Sequence, residues 1–431
     1  MLLKHLRSLL SKSQGAVVQD DGVITTVSGV PVWVARQPVF TAQGGIWGYE
    51  LLSRVCPENV CRPAEDAYVA TSSVVFDGVE MVAPALAAGE RLLINYSGEM
   101  LVDGVPAMLP PDICVVEVLE DVQPTQEVLA ALLRLREAGY MVALDDYIGQ
   151  EAAETLMPLA DIVKVDVLGR EREAIARDVA RIRPYGCTLL AEKVEDRQMF
   201  DLCAELGFDL FQGFFFSRPQ LVAGKKLTSS ETVKTRLLAR MASGEYDMAE
   251  LGDIIRIDAA LSTRLLRYLN SAFFALPSPV VSVSQAAGLL GQEKLRRWLC
   301  VAILSDMESS PLSRHVAVQA AQRGKFLELV CGTGCGRPAS EMFMLGLLSM
   351  LDGLLAVSME SVIAGMPLDE QLTDALLGRP GPLLPWLRFA AAYEKGDWQQ
   401  AAELARRLGV SGEEVSRCYS EAISWAAVMF A

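Results

Sequence analysis

The sequence has no apolar run approaching about 18 residues, so no membrane-spanning helix is expected. It has no Cys-x-x-Cys pair. Its nine cysteines are scattered: Cys114, Cys187 and Cys300 read as small core hydrophobes, and Cys331 and Cys335 stand in a Gly-rich turn. That pattern argues against a zinc site and points to reduced thiols and a cytoplasmic setting. Positive charge is short as well. Lys and Arg total 39 against 54 Asp and Glu, a net charge of −15, which argues against binding a nucleic acid polymer or an anionic lipid surface. No Gly-x-Gly-x-x-Gly follows the first strand pattern, so an open dinucleotide-binding sheet is disfavoured. The start, "MLLKHLRSLLSK", has the spacing of a short basic amphipathic helix but lacks a signal peptide's apolar core and cleavage site.

What is present is the composition of a two-domain globular chain: 431 residues, 51% hydrophobic and 22% charged. After an N-terminal extension (1–30), residues 31–220 alternate short apolar strands with helical stretches. The strands are expected at 32–39, 46–52, 91–95, 113–118, 141–144, 162–165, 188–191 and 210–215. Helices are expected between them, as in "TQEVLAALLRLREAG" (125–139) and "DRQMFDLCAELG" (196–207), the latter stopped by Gly207. Strands that are apolar on both faces and alternate with helices predict a parallel sheet, and eight of them predict an α/β fold of the (β/α)8 barrel type. Residues 217–232, "SRPQLVAGKKLTSSET", hold the Pro, Gly and Ser of a connector, which is placed at 221–232, and 233–431 reads as an all-α domain.

Polar residues gather where these strands end: Glu50, Asn95, Glu117 with Glu120, Asp145 with Asp146, Lys164, Glu192 and Gln212. In a barrel those ends meet on one face. Singly, each has a structural explanation; Asp146, for example, could cap the next helix. Together, so many carboxylates repel one another unless cations hold them, and one lysine is too few. All-oxygen ligands favour Mg²⁺ or Mn²⁺, and two such ions about 4 Å apart suit attack of water on a phosphodiester.

The residues that carry this pattern also resemble a family, the EAL domains, over about 33–220. The matching stretches are "RQPVF…GYELLSR" (36–54), "LLINYS" (92–97), "VVEVLED" (115–121), "ALDDY" (143–147), "DIVKVD" (161–166), "LLAEKVED" (189–196) and "DLFQGFFFSRP" (209–219). The resemblance implies a barrel that binds the bacterial messenger cyclic di-GMP and hydrolyses it to linear pGpG with two metal ions. It implies Glu50, Asn95, Glu120 and Asp145 as metal ligands and Asp146 as the bridge to a second metal. Lys164 would position or polarise the attacking water, and Glu192 would complete the metal site or act as base. Gln212 would support the site, Arg54 would hold a ligand phosphate, and a homodimer is the assembly to expect. This sequence departs from the family pattern in three places. Leu51-Leu52 follow Glu50 where the family has Ala-Leu, Lys193 stands where a glycine is expected, and "YIGQEAAETL" replaces the usual loop after Asp146. Those departures leave an alternative: a catalytically degenerate domain acting as nucleotide sensor or protein-interaction module.

The second half resembles HDOD domains, through "IIRIDAALSTRLLRYLNSAFFALPSPVVSVSQAAGLLG" (254–291). The resemblance implies a helical regulatory domain that binds a protein partner and lacks the metal ligands of the related phosphohydrolases. With two histidines, His5 and His315, the chain has too few for such a centre, and Ser349-Met350 stand where a hydrolase would place His-Asp. Asp258 and Asn270 read as helix-capping or bridging residues. "AELARRLGVSGEEVSRCY" (402–419) scans as a DNA-binding helix-turn-helix, but its charge is wrong for one and an ordinary helical hairpin is expected.

Overall fold

A computed structural model describes residues 32–55, 79, 83 and 86–213. It also describes 227–430, with short breaks near 244–246, 272–277, 308–309, 333–335 and 365. The amphipathic N-terminal stretch, residues 221–226 of the connector and the end of the last expected strand lie outside the described residues, and the connector ends earlier than expected, because Ser229–Thr232 already belong to a helix.

All eight expected strands are present and close a barrel: β1 (Val32–Thr41), β2 (Ile46–Val55), β3 (Arg91–Tyr96), β4 (Cys114–Val118), β5 (Met141–Tyr147), β6 (Ile162–Asp166), β7 (Thr188–Glu192) and β8 (Leu210–Phe211). The sheet is not wholly parallel, however. β1 runs antiparallel to both β2 and β8, while β2 to β8 run parallel in sequence order. Chain length explains the difference. β1 and β2 are joined by only four residues, closed by Thr41 N–H donating to Gly45 O at 2.8 Å. A parallel crossover needs a dozen or more residues, so so short a link permits only a hairpin.

One residue from each of seven strands forms a packed layer in the barrel: Val39, Leu93, Val115, Ala143, Ile162, Leu190 and Leu210. Helices fill the outside. α1 (Gly98–Val102) follows β3, and α2 (Gln126–Glu137) follows β4 with Thr125 as N-cap. α3 (Glu151–Leu156) and α4 (Arg172–Ile182) follow β5 and β6. α5 (Arg197–Leu206) is capped by Asp196 and ends at Gly207, whose φ of 88° is the left-handed stop that glycine adopts without a Cβ penalty.

Beyond the connector every described element is helical. α6 (Ser229–Ser243), α7 (Met248–Ile257) and α8 (Ala259–Leu269) are followed by α9 (Val283–Ser305), kinked at Gly291. α10 (Pro311–Cys331) packs on α11 (Ala339–Leu348), where a Cβ on Gly346 would meet the Gly324 Cα at 2.6 Å. Only glycine allows the two backbones so close. Asp258 caps α8 by accepting from Ala260 N–H and Leu261 N–H, and Asn270 bridges its end to Val280 through both N–H and C=O. Met350 is buried, and Ser349 accepts from Arg323 at 3.0 Å, so packing fills the place of a His-Asp pair.

Shorter helices α12 (Leu351–Leu355), α13 (Met359–Ile363) and α14 (Glu370–Leu376) lead to α15 (Leu384–Glu394), α16 (Trp398–Leu408) and α17 (Gly412–Phe430). α17 buries Val415, Cys418, Tyr419, Ala422, Ile423 and Ala426, the opposite of an exposed recognition helix. The chain forms two compact units. One gathers the described part of Met1–Arg218 with Ala392–Ala405 and Ser411–Arg417; the other holds the remaining helices. In the first unit the buried Trp33 donates to Gly412 O at 2.8 Å and packs against Tyr393 and Trp398. Cys114, Cys187, Cys203, Cys300 and Cys418 form no disulfide, but Cys331 is disulfide-bonded, so the expectation of reduced thiols does not extend to it. Among the described residues no helix is long and apolar enough to cross a membrane.

Candidate active site at the C-terminal end of the barrel

Side chains on a strand alternate between faces, so the residue two past each core position points inward one layer higher. From Leu93, Val115, Ala143, Ile162, Leu190 and Leu210 that rule leads to Asn95, Glu117, Asp145, Lys164, Glu192 and Gln212. With Glu50 from β2 they form a polar layer directly above the apolar one.

Lys164 is its centre and is 1% exposed. Its Nζ lies 2.8 Å from Asp145 Oδ1, 2.9 Å from Glu192 Oε1 and 3.3 Å from Glu50 Oε2, and it is also bonded to Glu117 Oε1. Glu50 is held further by Gln212 Nε2 at 2.7 Å and Asn95 Nδ2 at 3.3 Å. Burial alone would push the Lys164 ammonium down, but Glu117, Glu192, Glu50 and Asp145 outweigh it and hold its pKa well above the usual lysine value. Burial pushes the Glu117 carboxyl well up and the Glu192 carboxyl up to about 8, against the pull of Lys164. Burial acts the same way on Asp145, but there the Lys164 ammonium wins and keeps the group below the ordinary aspartate value.

Four buried oxygens in this layer have no hydrogen-bond partner: Asn95 Oδ1, Glu117 Oε2, Glu192 Oε2 and Gln212 Oε1. Buried acceptors left unpaired are costly, and a set of them at the ends of β3, β4, β7 and β8, in one polar layer, is what a hard cation and its waters satisfy. The donor set is all oxygen and fits Mg²⁺ or Mn²⁺.

A second acidic group lies further out. Glu120, in the loop after β4, comes together with Asp145 and Asp146, their carboxylate oxygens within 4.8 Å of one another. Glu120 is exposed, whereas Glu117, three residues earlier, is fully buried beside Lys164. Asp146 does not cap α3: the N-cap is Gln150, whose Nε2 instead donates to Asp146 O at 2.8 Å. The Asp146 carboxylate is paired with Lys193, whose Nζ lies 3.2 Å from Asp146 Oδ1 and 2.5 Å from Asp166 Oδ2. Asp146 and Lys193 both have left-handed backbone, with φ of 42° and 56°. Non-glycine residues held there are strained, and such strain concentrates at functional sites.

The structure therefore brings together Glu50, Asn95, Asp145, Asp146, Lys164, Glu192 and Gln212, with Glu120 at the rim. Arg54 pairs with Trp33 in the β1–β2 register, but its side chain lies outside the described residues. Two residues join the site without having been assigned a role from sequence. Glu117 stood among the strand-end carboxylates, but the phase that turns it inward is hidden by the apolar run before it, which is buried on both faces. Lys193 had no signal in the sequence, because its side chain reaches the site across a turn.

Residues 91–219 match the model of the EAL domain and residues 227–362 that of the HDOD domain. The chain is 31% identical to YuxH of Bacillus subtilis, over 91% of this chain and 98% of that one. It is also 31% identical to a Vibrio cholerae protein named cyclic di-GMP phosphodiesterase CdgJ, over 91% of this chain and 92% of that one. Among solved structures, an EAL domain protein from Listeria monocytogenes matches with a TM-score of 0.38 and 20% identity, over 43% of this chain and 87% of that one.

Proposed function

The chain belongs to the family that joins an EAL domain to an HDOD domain, and on that premise we propose that its barrel binds cyclic di-GMP with a divalent cation and hydrolyses it to linear pGpG. The observation that carries this reading is the set of four unpartnered buried oxygens around Lys164. Glu50, Asn95, Glu117 and Asp145 would hold the cation, with Glu120 and Asp146 beside it. When bound, such a cation supplies Lewis acidity at the phosphoryl oxygens and lowers the pKa of water.

The chain's own residues do the positioning. In the hydrolysis the water oxygen bonds to phosphorus and the bond from phosphorus to the ribose 3′ oxygen breaks. The water's proton leaves to a base and the 3′ oxygen takes one up. Glu192 has an unpartnered Oε2 to act as that base, and Lys164, whose three N–H donors are shared among four carboxylates, positions the water by orienting those carboxylates. Arg54 would hold a phosphate of the messenger. The HDOD domain serves as the regulatory part and binds a protein partner; a homodimer is the assembly we expect.

A second reading, a nucleotide sensor without turnover, is favoured by the loop after Asp146. Gln150 closes it on itself, its Oε1 accepting from Ile148 N–H and its Nε2 donating to Asp146 O, both at 2.8 Å. A cyclic di-GMP turnover assay in Mg²⁺ and Mn²⁺, run beside a binding titration, separates the two. Product formation supports hydrolysis, binding without product supports the sensor, and absence of both refutes each.

A further inference from the structure

We propose that the ammonium of Lys193 is a built-in cation standing in for a second divalent ion at Asp146, so that the site loads one divalent cation per chain instead of two. The inference rests on the reading of the barrel as a cyclic di-GMP site, and it concerns how that site is charged.

The carboxylates form two groups that share Asp145: an inner one around Lys164 and an outer one of Glu120, Asp145 and Asp146. Two groups of oxygen donors sharing one carboxylate would ordinarily hold a pair of ions. In the outer group one donor is already taken. Lys193 Nζ bridges Asp146 at the end of β5 and Asp166 at the end of β6, at 3.2 and 2.5 Å. The residue is half-exposed, yet its backbone keeps a φ of 56°, which a side chain with a Cβ enters only at a cost.

The turn that carries Lys193 cannot easily relax. Val194 N–H donates to Gln212 O at 3.0 Å, and a Cβ on Gly213 would meet Val194 O at 2.3 Å. The ammonium is thus delivered from a fixed turn onto the outer acid, and a divalent ion placed on Asp146 must displace it or sit beside a like charge.

Titrating the full chain with Mn²⁺, by calorimetry and by the loss of the free-ion electron paramagnetic resonance signal, tests this directly. The wild type is expected to bind one Mn²⁺, with any second site at least tenfold weaker. Lys193→Gly, which removes the ammonium and suits the left-handed backbone, is expected to bind two. Lys193→Arg keeps a cation and should keep the wild-type stoichiometry. Two equivalent Mn²⁺ in the wild type, or one in Lys193→Gly, overturns the proposal. Cyclic di-GMP binding measured on the same samples distinguishes this failure from that of the underlying reading. If no variant binds the messenger, the nucleotide site is wrong; if all do and the stoichiometry does not change, only the role of Lys193 is.

Discussion

Lys164 and Glu117 show how strongly the site depends on single side chains. Among the described residues Lys164 is the only cation paired with these four buried or nearly buried carboxylates, so its removal strips that compensation from them. Lys164→Met should destabilise the metal-free protein by about 3–5 kcal/mol in urea unfolding, the usual cost of stripping one partner from a buried ion pair, and Mn²⁺ should restore part of the loss. Unchanged metal-free stability would show that the carboxylates do not depend on Lys164. Glu117 and Glu120 give a sharper comparison. Glu117→Gln, in the buried layer, should lower turnover at least a hundredfold, and Glu120→Gln, at the exposed rim, should lower it less. The opposite order in kcat would move the centre of the site outward. The strand-end pattern pointed to both glutamates. Choosing between them needed the inward phase of β4, and the apolar run Val115–Val116 conceals that phase because both of its faces are buried.

At the scale of elements, the eight strands and the helices after β4 and β7 were legible because their cues are local: apolar runs, helical periodicity and Gly207 as stop. The antiparallel β1 was not read from its apolar pattern, although the short link between β1 and β2 was visible and excluded a crossover. The ion pairs of Lys193 depend on how two strand ends approach in space, and no local pattern encodes that. Asp258, read from the sequence as a capping or bridging residue, is the N-cap of α8. Asp258→Ala should cost about 1 kcal/mol of stability through loss of the α8 N-cap. Measured by denaturant midpoint, that loss should leave cyclic di-GMP binding by the barrel unchanged.

The whole molecule carries a net charge of −15 and is proposed to bind a dianionic nucleotide, so recognition must come from a few local cations. The barrel's unit also draws on distant sequence. Trp33 in β1 packs on Tyr393 and Trp398 and donates to Gly412 O. Trp33→Ala should therefore destabilise the barrel by about 3–5 kcal/mol, the usual cost of truncating a buried tryptophan. Little change in its unfolding midpoint would mean that the C-terminal residues do not support it.

The central claim, a metal-dependent cyclic di-GMP hydrolase, is tested most directly by turnover of cyclic di-GMP with Mn²⁺ in the wild type and in Asp145→Ala, each beside a binding titration. The account predicts pGpG from the wild type, no product without the metal, and loss of product in Asp145→Ala. Turnover that survives Asp145→Ala, or a wild type that neither binds nor cleaves the messenger, would contradict it.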